Sequence, residues 1–413
     1  MSQQATPSAT ELATNARRPA AAVKIALLLP MTGPPEVRAL AKGLRDAAQL
    51  ALFELDQVNI ELMEKDTKGT VDGARTAAAT ALSDGAQVIV GPLFSQSVKA
   101  VSQLSRPAGV PVVAFSNDRS VAGNGTYLMS FLPGADVGRL LTFAAQSGKQ
   151  RMAALAPRTP YGDAVLAKLM ASAPGAGFTV AQTERYDNDA NGMTPAVKAL
   201  GARIAAQKQA KTAGPDRIDT LFVVGNERSV PILAALLPYN DVAPGDVQIM
   251  GVGNWEFPGV ARDGVLRGAW YPAPEPEGFI AFSRAFNEAY GTAPERMWSL
   301  SYDALSMLGA LARNNAQGQP FTQATLTRAS GFAGVTGLFR LRAEGVVERG
   351  LAIMEVQQFG GKTLSPAPKS FAANAGFGGL GGLRPAFTPA PGQTSIATQR
   401  LPVAGVEGNA LRW

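Results

Sequence analysis

The sequence predicts an α/β protein whose parallel sheets are wound on both faces by helices. From Val23 onward, short apolar runs alternate with segments whose apolar residues recur every three or four positions, the pattern of successive βαβ units. The 413 residues, 46% of them hydrophobic, suffice for two or three domains, each with its own core. From Leu364 onward the composition turns to Pro, Gly and Ala without periodicity, which predicts a disordered tail.

Val23–Leu29 reads as a buried strand. A Pro/Gly loop from Pro30 to Pro35 follows, then a helix with Val37, Leu40, Ala41, Leu44, Ala48, Ala51 and Leu55 on one face. A strand is expected over Val58–Glu64. Thr70 is the expected cap of the next helix, and Asp72 in its first turn suits the positive end of the helix dipole. The strand Gln87–Val90, a Gly-Pro turn, a helix near Gln96–Leu104 and the strand Pro111–Phe115 complete a βαβαβαβ series.

A second series starts after Phe131-Leu132-Pro133. It runs through a helix over Gly134–Gln146, a strand over Arg151–Leu155 and a helix begun by Thr159 and Pro160, proline being preshaped for a first helical position. Strand Phe178–Tyr186, helix Thr194–Gln209, strand Thr220–Val224, a helix from Asn226 and strands Val247–Met250 and Leu266–Tyr271 follow. Helices are expected over Gly278–Tyr290, Met297–Asn314 and Thr322–Ala329. A closing hairpin is expected to pair Gly337–Arg342 with Leu351–Phe359 around Ala343-Glu344-Gly345.

The chain contains no histidine and no cysteine. Ser-His-Asp and Cys-His nucleophile systems, Cys/His zinc sites and imidazole acid–base catalysis are thereby excluded, as are disulfides. An enzyme built from this chain must use carboxylates, Lys, Tyr, Ser or Thr. The 38 Lys and Arg against 32 Asp and Glu give a formal charge of +6. Residues 1–22 carry +1 (Glu11, Arg17, Arg18) and residues 361–413 carry +4 (Lys362, Lys369, Arg384, Arg400 and Arg412 against Glu407), leaving +1 on 23–360. A nearly neutral folded region argues against nucleic acid as a partner. No apolar run approaches the roughly 20 residues of a membrane-spanning helix, and residues 1–22 read as a flexible lead without the apolar core of an export signal.

The motifs KIALLLPMTG, GAQVIVGPLFSQSVKAV, GVPVVAFSND, APRTPYGDAV, GVGNWEF and SYDAL occur in the order found in the type I periplasmic binding proteins, and residues 23–360 resemble that superfamily. Within it, GPLFSQSVKAV and GVTGLFRLRAEGVVERGLAIMEV most resemble the LppC-type penicillin-binding protein activators. The resemblance implies two lobes joined by three crossings, with ligand in the cleft between them. By that analogy lobe one is 23–130 plus 272–328, lobe two is 131–271 plus 329–360, and residues 361–413 form the tail; the residues alone would suggest two contiguous domains. LppC-type proteins carry a lipidated cysteine that this chain lacks, so either the anchor was removed or the protein is not a lipoprotein, and a membrane link is expected only through a lost anchor. Periplasmic location is implied.

Ligands of doubly wound sheets bind beyond the carboxyl ends of the strands. That singles out Ser95 and Gln96 after one strand, and Ser116, Asn117 and Asp118 after the next. In amino-acid-binding members of the superfamily these positions hold a ligand carboxylate; the bland reading of Ser95 is a helix N-cap. Tyr161 stands where the superfamily often sets an aromatic against the ligand, or else packs on a loop. Glu256 is the nearest candidate for pairing with a ligand ammonium, and Trp255 the residue that fills the space instead.

Three motifs mislead. Asp187-Asn188-Asp189-Ala190-Asn191-Gly192 starts like a calcium loop but has Lys198 where a chelating Glu is needed. Gly376–Gly381 matches GxGxxG outside any strand-to-helix turn. Glu275 and Glu277, flanked by Pro272, Pro274 and Pro276, read as solvated side chains on a stiff crossing rather than a glycosidase pair. No Ser-x-x-Lys or Gly-x-Ser-x-Gly is present. The expected function is therefore non-enzymatic, without cofactor or metal. The leading reading is a regulator of a peptidoglycan synthase with a possible small polar ligand in the cleft. The alternative is an amino-acid receptor that docks on the permease of an ABC importer.

Overall fold

The computed structural model describes residues 22–55, 58–212, 214–255, 257, 259–260, 262, 264–314 and 319–371. The first sheet is all parallel, in the order β2-β1-β3-β4-β5, formed by β1 (Val23–Leu29), β2 (Ile60–Asp66), β3 (Val88–Val90), β4 (Val112–Ala114) and β5 (Thr126–Leu128). Its connecting helices are α1 (Pro35–Phe53), α2 (Val71–Ser83) and α3 (Ser95–Ser105). Thr70 caps α2 as expected, its hydroxyl accepting the Gly73 N–H at 3.0 Å. The Gly91–Pro92 peptide is cis. Gly91 has φ +87°, and a Cβ there would meet the Leu28 carbonyl oxygen at 2.2 Å, so only glycine fits this turn.

The second sheet runs β15-β14-β10-β9-β8-β6-β7. Its parallel part is β6 (Arg151–Pro157), β7 (Thr179–Tyr186), β8 (Thr220–Val223), β9 (Gln248–Gly251) and β10 (Trp270–Ala273); β14 (Ala352–Val356) and β15 (Gly361–Ser365) join antiparallel. It carries α4 (Val137–Gln146), α5 (Pro160–Ser172), α6 (Ala190–Gln209) and α7 (Ser229–Tyr239). Helices α8 (Pro276–Tyr290), α9 (Ser299–Asn314) and α10 (Gln323–Leu326) follow β10. An antiparallel three-stranded sheet of β11 (Phe332–Gly334), β12 (Gly337–Leu341) and β13 (Val347–Arg349) comes next.

Two separate cores define the lobes. Ile25–Leu29, Leu44, Val88–Val90 and Val112–Ala114 pack with Phe282, Phe286, Leu300 and Leu305 from α8 and α9. Leu140, Ala153–Ala156, Phe222 and Met250 pack with Tyr271, Ile353 and Met354. The chain therefore passes between lobes three times: β5 to α4, β10 to α8, and β13 to β14.

Three expectations need correction, and one strand was not expected. Residues 332–349 do not belong to lobe two, because Phe332, Phe339, Leu341 and Val347 are buried in the first core. The expected hairpin is split: Gly337–Leu341 pairs with Val347–Arg349, whereas Ala352–Val356 crosses over and pairs with β10 in the register Tyr271↔Met354. Residues 361–365, assigned to the tail, add the edge strand β15. The strand Thr126–Leu128, which no periodicity announced, closes the first sheet on β4 and is wholly buried. Residues 1–21 and 372–413, including the Gly376–Gly381 motif, lie outside the described residues.

Candidate functional site

The carboxyl ends of both parallel sheets open beside the crossings. Leu128 ends β5 and leads directly into the first crossing. On the far side Asp136, at the start of α4, accepts the backbone N–H of Gly253, just beyond the end of β9. A Cβ on Gly253 would lie 2.8 Å from Asp136 Oδ2 and 3.2 Å from the Pro272 carbonyl oxygen of the second crossing, so glycine permits this approach. The loops after β1–β5 and those after β6–β9 thus flank one hinge, the geometry of a ligand cleft at the strand ends.

On the first lobe, Asp66 ends β2 and accepts from Met31 N (2.9 Å), Thr32 N (3.3 Å), Thr32 Oγ1 (2.6 Å) and Lys68 N (2.8 Å). Partial burial acts to raise its pKa, but these donors together hold the carboxyl below the usual aspartate range. Ser95 is half-buried and Gln96 exposed at the start of α3. The bland reading of Ser95 fails, because the N-cap is Phe94 and no side chain caps the helix. Ser116 is buried (4% exposed), and its Oγ accepts the Asp118 N–H at 3.2 Å. Asn117 and Asp118 are exposed. Asp118 caps a short 3-10 turn, accepting the Ser120 N–H at 2.9 Å.

On the second lobe, Thr159 caps α5 by accepting the Gly162 N–H at 3.2 Å, which seats Tyr161 in the first turn, half-buried against the second core. Burial, reinforced by the nearby Asp136 carboxyl and Tyr186, pushes the Tyr161 phenol well above its ordinary value. Burial also raises Asp136, against the hydrogen bond from Gly253. Tyr186 at the end of β7 donates to the Val224 carbonyl oxygen at 2.5 Å, and burial pushes it up to about 12. Both phenols therefore stay protonated and can donate hydrogen bonds at neutral pH.

Trp255 does not line the cleft. It is fully buried in the second core, its indole lying so close to Gly251 that a Cβ there would be 2.1 Å from the ring. The missing side chain on Gly251 makes the room, so the aromatic turns inward. Glu256 lies outside the described residues. Asp189 caps α6 by accepting the Gly192 N–H at 2.8 Å, a helix-starting role for the calcium-like motif. Glu275 and Glu277 are exposed at the start of α8.

The sequence reading missed Asp136 and Arg349. Asp136 follows the Pro133-Gly134 turn and precedes an apolar helical pattern, a signal for a helix start, but its partner Gly253 is 117 residues away. Arg349 had no signal, because its partners come from separate segments of the first lobe and from the first crossing. It donates to Thr336 Oγ1, which donates to Asp303 Oδ2 at 2.5 Å, and its guanidinium lies 4.9 Å from the Phe131 ring centroid. Burial draws Arg349 down to about 10, with the Asp303 charge opposing the shift.

Two lobes, each with its own core, joined by three crossings and opening polar strand ends toward one hinge, make the architecture of a two-lobed binding-protein fold. The model of the periplasmic binding protein family matches residues 22–362, and the chain belongs to that family. Its fold is similar to a solved structure assigned to a branched-chain amino acid ABC transporter of Rhodospirillum rubrum (TM-score 0.70, 16% identity, covering 83% of this chain and 100% of that one). It is also similar to an ABC transporter substrate-binding protein of Sphaerobacter thermophilus (TM-score 0.65, 16% identity, 84% and 98% covered). A substrate-binding protein of Desulfitobacterium hafniense in complex with Leu gives a TM-score of 0.57 at 16% identity, with 83% and 99% covered. No curated protein sequence matches the chain. Among the described residues no helix is long and apolar enough to cross a membrane.

Proposed function

We propose that the chain is the periplasmic solute receptor of an ABC importer, closing its lobes on a small polar solute and presenting the closed form to the importer's membrane subunits. The observation that carries this reading is the hinge geometry: two parallel sheets whose carboxyl ends flank the same crossings, with Ser95, Gln96, Asn117 and Asp118 on one side and Tyr161 on the other. Such a site binds and closes without covalent chemistry, in keeping with a chain that lacks His and Cys. Relatives of this fold are described in complex with leucine or isoleucine, which makes amino acids the first class to test.

A solute that binds only the native state raises stability by RT ln(1 + [L]/Kd), about 2.7 kcal/mol at a hundredfold excess over Kd. Thermal unfolding against amino acids, amines, sugars and aromatic acids should therefore show a shift with one class. A second reading, regulation of a peptidoglycan synthase, rests on GPLFSQSVKAV and GVTGLFRLRAEGVVERGLAIMEV, which resemble the LppC-type activators. Silence across the whole panel, together with binding to a purified peptidoglycan synthase, would replace the receptor reading by this one.

A further inference from the structure

After the third crossing and the edge strand β15, the chain turns back toward the first lobe, past residue 362 where the match to the family ends. Ser365, the last residue of β15, pairs with Ile353 and accepts from Arg139 Nη2 at 2.6 Å, and Ala367 packs against the second core. The Ala367 N–H donates to Glu275 Oε1 at 3.2 Å, at the second crossing. Pro368 sits on the third crossing, where a Cβ on Gly350 would lie 2.9 Å from its Cγ. Phe371 then reaches lobe one. The Arg340 guanidinium of β12 lies 4.5 Å from its ring centroid, and Glu348 of β13 holds that guanidinium with hydrogen bonds of 2.9 and 3.1 Å. Gly331, at φ +68°, makes room for the ring, since a Cβ there would be 3.0 Å from Phe371 Cδ2.

We propose that residues 366–371 form a releasable strap across the hinge, which holds the empty lobes in their present arrangement and must let go at Phe371 before they move against each other. The two ends of the strap are unequal. On lobe two it continues a paired strand and packs on a core, whereas on lobe one it rests on a single half-buried ring beside one cation. The lobe-one end is therefore the one that releases. Pro366 and Pro368 fix their own φ angles and keep Ala367 extended, so the strap carries a pull between the lobes instead of slackening. This inference goes beyond the receptor reading and does not depend on it: a silent solute panel would leave the strap in place.

The test is the distribution of distances between spin labels on the two lobes, measured by pulsed electron paramagnetic resonance on the full chain without added solute. Because the chain has no cysteine, Ala79→Cys in α2 and Ala164→Cys in α5, both exposed, supply the two labelling sites. The labelled parent should give one narrow distribution. Phe371→Ala in the same background should make it roughly twice as broad, as lobes freed from the strap populate further arrangements. Phe371→Tyr keeps a ring for Arg340 and should restore the parent's distribution. Phe371 belongs to neither core, so both variants should fold, which melting curves check. A Phe371→Ala variant with the parent's distribution overturns the inference, and if it also melts earlier, Phe371 is only a packing residue of lobe one. Equal broadening by Phe371→Tyr and Phe371→Ala overturns it as well.

Discussion

The guanidinium of Arg349 lies over the ring of Phe131, 4.9 Å from its centroid, and so joins the start of the third crossing to the first. On the other side of the hinge, Arg139 Nε in α4 donates to the Leu351 carbonyl oxygen at 3.1 Å and its Nη2 to Ser365 Oγ at 2.6 Å. The crossings are thus braced by two arginines, one from each lobe, rather than left as bare linkers.

Removing Arg349 should be costly. Arg349→Ala loses the contacts with Phe131 and Phe339 and the donation to Thr336, and it leaves Asp303 buried without the cation that opposes its burial. Stripping one partner from such a buried network typically costs about 3 kcal/mol. Urea unfolding monitored by circular dichroism should show a loss of this order; a loss below about 1 kcal/mol would mean that Arg349 does not brace the hinge.

Ser95→Ala should leave the free protein nearly as stable as the parent, within a few tenths of a kcal/mol, because Ser95 caps nothing. Thr159→Ala, which deletes a true cap, should cost about 1 kcal/mol. Paired melting curves of the two variants check this. The reverse order would restore the capping role to Ser95.

Gly251→Ala should destabilise the second lobe by about 2 kcal/mol or more, since the new methyl collides with an indole that has nowhere to go in a packed core. Trp255 fluorescence reports the same event: burial should shield it from acrylamide in the parent and expose it in the variant. The probe is isolated by replacing the other three tryptophans with phenylalanine.

Glu54 accepts the Tyr302 hydroxyl, and burial raises its pKa against the opposing effect of that bond. The folded state therefore holds this proton more tightly than the unfolded chain. The stability it contributes is complete below the ordinary glutamate value of about 4.3 and is lost as pH rises through the raised folded value. Glu54→Gln keeps an acceptor for Tyr302 and removes the titration. The urea midpoint of the variant relative to the parent should therefore move upward between pH 4 and pH 7, and an unchanged difference would contradict the shift.

Much of the fold was legible because helices and buried strands announce themselves locally. Thr70 and Thr159 could be named as caps because a cap needs only the amide three residues on. The alternation of strands and helices sufficed for a parallel α/β class, since parallel strands require crossover helices. The candidates Ser95, Gln96, Ser116, Asn117, Asp118 and Tyr161 fall at strand ends and helix starts for the same reason.

Partners that lie far apart along the chain were decided by tertiary structure alone. The pattern in Ala352–Val356 marks a strand, but a strand's period is silent about its neighbour, and the third crossing hands it to β10 instead of the adjacent β13. Trp255 carries no sign of which way it turns; the space left by Gly251 draws it into the core, where burying an indole is more favourable than exposing it. For Asp118 the sequence by itself marked a polar residue at a binding edge. Only the folded turn tied its carboxylate to the Ser120 N–H, because a carboxylate takes its meaning from the donors that surround it.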